Sequence, residues 1–520
     1  MNTFKRKALF TAVAAGLGVA GSAEAVYLNP NGTGQSLVYP YYTVQTASGS
    51  AYNTLLSIVN TTSRGKAVKV RILEGKTSSE VLDFNLFLSA NDVWTAAIIP
   101  SSNGVGGAII TADNSCISPA ALTTAQDFRN FQYASGVGGA SLPGVGLDRT
   151  REGYVEMLEM GTIVAGSALS TAITHNSAGV PPNCAGVQSI VFTPAATDLT
   201  TPTGGMFGTG TLLNLTIGQA AGYKADALES WSNIVQYTGP GVTTPTLGNA
   251  NPPISLVVNA GSLDATGASM QATAYLSAFV TGGGPTAGVK AVASVYMHQT
   301  VMNEYVLDAG SRSQTDWVIT QPLKSAFVSN TTALSPYSNV LTASGACETI
   351  NFTYFNREER QAATSPGDFS PTPPGATPSS LCWEVNVLSL RNNPTVTGQP
   401  TGTTSGLLGS VNTTGVALGT NALFPNGWAA LDFVGVNATS VGLGTTAATQ
   451  RVQLNQGVLV PAATITAGAV TFFGLPVTGF MVRNFANAAV SCTGVTGATT
   501  TCQALFGSLF NHSYRNNIIP

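Results

Sequence analysis

The chain has 520 residues and a formal charge of −3, with 44 % hydrophobic but only 9 % charged residues, against roughly 25 % in ordinary soluble proteins. So sparse a charge excludes a nucleic-acid footprint, which needs clustered Lys and Arg to displace counterions. It also removes much of the repulsion that keeps soluble proteins apart, and the length calls for two lobes or one large β architecture.

The first 25 residues have the layout of a secretory signal peptide. Lys5, Arg6 and Lys7 make a basic start, Ala8 to Ala20 an apolar run, and Ala23-Glu24-Ala25 a small-x-small cleavage site. The mature chain is expected to begin at Val26. Export changes the meaning of the six cysteines, Cys116, Cys184, Cys347, Cys382, Cys492 and Cys502, all of which lie in the mature part. In an oxidising compartment an even number of cysteines reads as a disulfide framework, and sequential pairing is expected: Cys116 with Cys184, Cys347 with Cys382, Cys492 with Cys502. No two have the CxxC spacing of a zinc or redox site.

Strand patterns follow in order. Thr54 to Asn60 alternates apolar and polar residues, and Ala67 to Glu74 places Val68, Val70 and Ile72 on one face, with Lys69, Arg71 and Leu73 on the other, as in a half-buried strand. Val81 to Leu88 and Asp92 to Ile99 continue the series. Later strands are predicted at Tyr154 to Met160, Thr211 to Ile217, Ser294 to Leu307, Asp316 to Thr320, Thr349 to Asn356, Trp383 to Leu390, Trp428 to Val434 and Gly474 to Val482. Only Ser118 to Phe131 and Ala220 to Trp231 read as helix. The fold class is therefore all-β, with one or two antiparallel β-sandwich lobes, Ig-like or jelly-roll-like, with long loops and few short helices.

Gly and Pro punctuate residues 239–253, 365–380 and 393–406. The first stretch is taken as a linker between an N-terminal lobe, 26–238, and a C-terminal lobe, 254–520. The longest uncharged run, Val452 to Val482, is broken by Pro461, Gly468, Gly474, Pro476 and Gly479 into strand-sized pieces, so no transmembrane helix is expected in the mature chain. After Arg391 only Asp432, Arg451, Arg483 and Arg515 are charged, which makes this region sticky and in need of cover.

Searches for chemistry return little. The GxGxxG at Gly16 to Gly21 lies in the signal peptide, and Gly442-Leu443-Gly444-Thr445-Thr446-Ala447 opens no helix pattern. His298 sits in an apolar strand pattern, while His175 and His512 sit among polar loop residues. Glu156 and Glu159, three apart on a strand, face opposite sides and cannot share a substrate. Trp94, Trp317, Trp383 and Trp428 lie in core-like patterns, whereas Tyr39-Pro40-Tyr41-Tyr42 is a candidate sugar platform. No catalytic, cofactor-binding or metal-binding residue is assigned, and no cofactor is expected.

Lys66 to Gly75 with Glu80 to Asn85, then Arg151 to Glu156, and Thr315 to Thr320 resemble segments of exported proteobacterial proteins described as hypothetical or cell-surface proteins. That resemblance implies a surface location and carries over no site residue. The expected function is a non-enzymatic structural or adhesive cell-surface or extracellular-matrix protein that self-assembles, with itself or other cell-surface components as partners. The alternative is a secreted carbohydrate-binding or carbohydrate-degrading protein with glycans as partners, and the third reading is an outer-membrane β-barrel, since exported alternating strands also suit one.

Overall fold

A computed structural model describes residues 24–519 except 48, 120–121, 135–141, 190–196, 216–218, 260–272, 281–283, 309–312, 360–379, 392–403, 419–423, 434–451, 461–465 and 494–498. Residues 1–23 of the expected signal peptide and the Gly442 to Ala447 motif lie outside these residues. The protein is all-β, with 49 % of the chain in strands and several antiparallel sheets, none of which closes into a barrel among the described residues.

Two sheets form the N-terminal half. The first joins eight strands, with Ser36–Thr43, Glu152–Ile163, Lys66–Glu74 and Glu80–Leu88 adjacent in that order. The second joins six, with Gly107–Ile110, Val93–Pro100, Asn53–Asn60, Met206–Asn214 and Gln219–Lys224 adjacent in that order. Period-2 alternation explains their packing, because one row of each strand must leave water. Leu56, Ile58, Trp94, Ile98 and Leu212 point inward from the second sheet and meet Val70, Ile72, Phe84 and Val155 from the first, all buried.

The C-terminal half is built from three larger sheets. One aligns Thr413–Ala417, Val385–Arg391, Gln314–Thr320, Thr478–Thr493 and Thr499–Asn511; a second pairs Asn351–Asn356, Asn426–Asp432, Thr300–Val306 and Ser513–Arg515. The third contains Val452–Val460 and Thr466–Phe473, so the long uncharged run is divided into strands. No helix among the described residues is long and apolar enough to cross a membrane.

A single hydrophobic cluster runs from Val26 to Ile518 and takes in both halves. Polar contacts also cross between them. Val385 N–H donates to Gly75 O at 2.8 Å, Tyr154 Oη to Pro322 O at 2.9 Å, and Tyr52 Oη to Leu407 O at 3.0 Å. Residues 239–253 run as a strap over the face of the eight-stranded sheet that points away from the sandwich core.

Several expectations need correction. Strand Lys66–Glu74 is buried on both faces, because the strap covers the side that a free-standing sandwich would leave wet. Residues 220–231 form strands Gln219–Lys224 and Asp226–Glu229: Ala221 and Tyr223 turn inward while Ala220, Gly222 and Lys224 turn out, and that burial overrides the helix propensity of the alanines. The described part of residues 118–131 holds no helix: it begins at the end of strand Cys116–Ser118 and includes strand Gln126–Asp127. Conversely, Ala287–Tyr296 is an α-helix, capped by the Thr286 hydroxyl on Val289 N–H, where a strand was expected from Ser294.

Disulfides join Cys116 to Cys184 and Cys347 to Cys382, the expected sequential pairs. Both fit an oxidising compartment. Cys492 and Cys502 lie on the two arms of one hairpin, with Cys492 opposite Thr500 and Cys502 opposite Val490; their side chains lie outside those described.

Candidate functional site

Three arrangements of side chains stand out, and each begins with a strand register. The first is the strap-covered face of the eight-stranded sheet. Register places Arg71 directly opposite Glu156 on one neighbour and Asp83 on the other, with Lys69 one rung away. Arg71 donates to Glu80 at 2.7 Å and to Glu156 at 2.5 Å, and Lys69 contacts Asp83. Around this cluster, Lys66 meets Glu159 at 2.9 Å and Arg149 meets Glu74 at 2.7 Å. All of these side chains are buried except that of Asp83, which keeps a small exposure.

Backbone groups of the strap complete the cluster. Leu247 N–H donates to Glu156, Gly241 N–H to Asp83, and the Lys69 ammonium to Gly239 O. Burial raises the carboxyl of Glu80, opposed by Arg71 and reinforced by Asp83. It also raises Glu156, again against Arg71. For the guanidinium, burial works against the charge, but Glu156 and Glu80 outweigh it and raise Arg71. Glu156 and Glu159 thus serve separate ion pairs, as their spacing implied.

The second arrangement is the outer face of the six-stranded sheet. One row across the strands reads Ile110, Ala97, Leu55, Thr211, Gly222; the next reads Thr95, Ser57, Thr209, Lys224; a third reads Val93, Val59, Phe207. Of these only Lys224 is charged. Leu55 is 41 % and Val93 48 % exposed, and Ser57 Oγ and Thr209 Oγ1 share a hydrogen bond of 2.7 Å. Two depressions of about 620 and 560 Å³ lie on this face and share Thr209 and Thr211 as lining residues. The second reaches Phe510 on the adjoining hairpin.

The third arrangement is an aromatic stripe. Phe355 lies opposite Trp428 and Trp428 opposite Glu304, and the two rings stack at 4.6 Å. Glu304 pairs with Arg483 at 3.2 Å, and the Arg483 guanidinium sits 4.7 Å from the centre of the Phe510 ring. Trp428 and Phe510 are exposed. Trp428 was expected in the core, but its row faces outward, while Tyr39, Tyr41 and Tyr42 of the expected platform are completely buried. Their hydroxyls go to Ser57 O, Glu152 and Thr150 O.

The histidines give no base in a cleft. His298 is buried against Tyr514 with Nδ1 2.6 Å from Asn516 Oδ1, and burial lowers it to about 4. His512, expected in a loop, is buried beside Trp317 with Nε2 3.0 Å from Val318 O, and burial lowers it likewise to about 4. His175 brings Ser89 and Asp92 close, but Ser89 Oγ at 3.1 Å and Asp92 Oδ2 at 3.8 Å both face Nδ1. A nucleophile and its orienting carboxylate need opposite ring nitrogens, so this is a loop tether. No cluster of metal-ligating side chains occurs among the described residues.

Set against protein-family models, curated proteins and solved structures, the chain matches none of them.

Proposed function

We propose that the protein is a non-enzymatic structural or adhesive component of the cell surface or extracellular matrix, and that it associates with copies of itself. The observation that supports this reading is the distribution of charge. The N-terminal half takes nine partners of its ion pairs largely out of water, five of them on the strap-covered face, and leaves a broad sheet face on which Lys224 is the one charge among the register rows given above. Charge on outward positions normally keeps sheets apart. Placing it inside and leaving Leu, Val, Thr and Ser outside produces a surface suited to lasting contact.

The test is light scattering and electron microscopy of the mature protein. Wild type is expected to form ordered assemblies at high concentration, and Leu55→Lys combined with Val93→Lys to shift it to single chains while changing stability by no more than about 0.5 kcal/mol, as for most surface substitutions. A wild-type protein that stays monomeric at all concentrations would reject self-association.

The stacked Phe355–Trp428 pair supports a second reading, glycan binding, since an exposed indole beside an ion pair suits the apolar face and the hydroxyls of a sugar. Glycan-array binding that is lost in Trp428→Ala and kept in Leu55→Lys would favour it.

A further inference from the structure

Lys69 and Asp83 form an unusual ion pair. They project from neighbouring strands of one sheet, diagonal to each other across the register, with the lysine fully buried and the aspartate 10 % exposed. Glu80 stands on the same strand as Asp83, and its Oε2 accepts at 2.7 Å from Nε of Arg71, the neighbour of Lys69 on their row. The cluster of Lys69, Arg71, Asp83, Glu80 and Glu156 holds three carboxyls for two cations. A proton-accepting group is therefore at hand where an amine and a carboxyl already touch.

We propose that Lys69 and Asp83 condense to an intramolecular isopeptide bond, with Glu80 as the proton carrier. The Lys69 ammonium passes a proton to the Glu80 carboxylate, and the freed amine attacks Cγ of Asp83. The Nζ–Cγ bond forms and the Cγ–Oδ1 bond breaks, with Glu80 returning its proton to the departing oxygen. Of the three ammonium protons, one stays on the amide nitrogen and two leave in water. The net change is ammonium plus carboxylate to amide plus water, with no oxidant, reductant or cofactor.

The strap is already arranged for the product. Lys69 Nζ donates to Gly239 O at 3.2 Å, and Asp83 Oδ2 accepts from Gly241 N–H at 2.9 Å. An amide keeps one N–H for Gly239 and one carbonyl oxygen for Gly241, so condensation leaves both strap contacts in place. It also removes two charges that are costly to hold out of water. The other buried lysine pair lacks this fit. Glu159 accepts from Lys66, Thr162 and the N–H groups of Thr203 and Gly204, so both its oxygens already have donors that a condensation would displace. Arg71 and Arg149 carry guanidinium groups, which stay protonated and are not nucleophiles.

The test is intact mass of the reduced mature protein, followed by tryptic mapping. The wild type is expected to weigh about 18 Da less than its sequence, the mass of the water lost in a covalent condensation. Cleavage after Lys69 should fail, leaving residues 67–71 joined to residues 77–129. Lys69→Arg keeps the charge pair but cannot condense, so it should show full mass and, by circular dichroism, the wild-type fold. Glu80→Gln should fold and show full mass or slow conversion. Full mass with cleavage after Lys69 in folded wild type overturns the bond, and wild-type conversion in Glu80→Gln overturns the role of Glu80.

Discussion

Glu384 carries a carboxyl that the fold has taken wholly out of water. Its Oε2 has no hydrogen-bond partner among the described residues, and burial raises it to about 8, opposed by Lys324. Glu229 is raised to about 7 and Asp226 to about 6, again chiefly by burial. In each, the native state binds a proton that the unfolded chain has released, so stability is lost as pH rises through the native value. His298 and His512 act in the opposite direction. Their lowered values make the unfolded chain the better proton binder between about 4 and 6.5, so stability is lost there as pH falls. The expected outcome is a stability maximum near mildly acidic pH and a decline from pH 6.5 to 8.5. Glu384→Gln should flatten that decline, and urea unfolding at the two pH values measures it. None of this was legible in the sequence, where Glu384 is one carboxylate beside a tryptophan; its neighbours Lys324, Ser78 and Glu74 come from a short helix, a turn and a strand elsewhere in the chain.

Strand Lys66–Glu74 illustrates what an element reveals of itself. Its alternation fixed its type and its inward row, Val68, Val70 and Ile72, correctly. The outward row, Lys69 and Arg71, looked solvated because nothing local announces residues 239–241 and 247 above it. The Gly and Pro content of that stretch signalled irregular backbone, and irregular backbone proves suited to the work, since its N–H and C=O groups are free to meet buried charges. Arg71→Met removes the cation from two buried carboxylates, a change that costs about 3–5 kcal/mol. Because Glu80 and Glu156 can relieve the loss by taking up protons, the penalty should be smaller at pH 5 than at pH 8, as read from urea midpoints. A second element-level expectation concerns the link between Cys116 and Cys184, which closes a separation of 68 residues. Its removal by Cys116→Ser with Cys184→Ser should cost about 4 kcal/mol on the loop-entropy account, measurable as a fall in thermal midpoint. The helix Ala287–Tyr296 escaped the sequence because it is buried nearly all round, which erases the 3.6-residue stripe that would have marked it.

At the scale of the whole molecule, one core joins residues whose sequence positions differ by almost the full length of the chain. Glu152 is a case in point: it accepts from Val411 and Asn412 N–H at 3.0 and 3.2 Å while also receiving the Tyr41 hydroxyl. With such contacts the two halves should unfold together, giving coincident transitions by tryptophan fluorescence and far-UV circular dichroism. Two separated transitions would show that the contacts between the halves contribute little.

The first strand of the described chain also sets an order of events. Val26 donates its N–H to Ile254 O at 2.7 Å and accepts from Leu256 N–H at 2.9 Å, while Tyr27 and Leu28 pair with Glu229 and Leu228. A chain emerging from its N-terminus therefore offers its leading strand to partners that are synthesised more than two hundred residues later. Until residue 256 is available the backbone groups of Val26 lack the partners they have in the complete fold. Closure of that edge of the sheet thus waits on residues that lie far along the chain, and one short strand ties the start of the described chain to its middle.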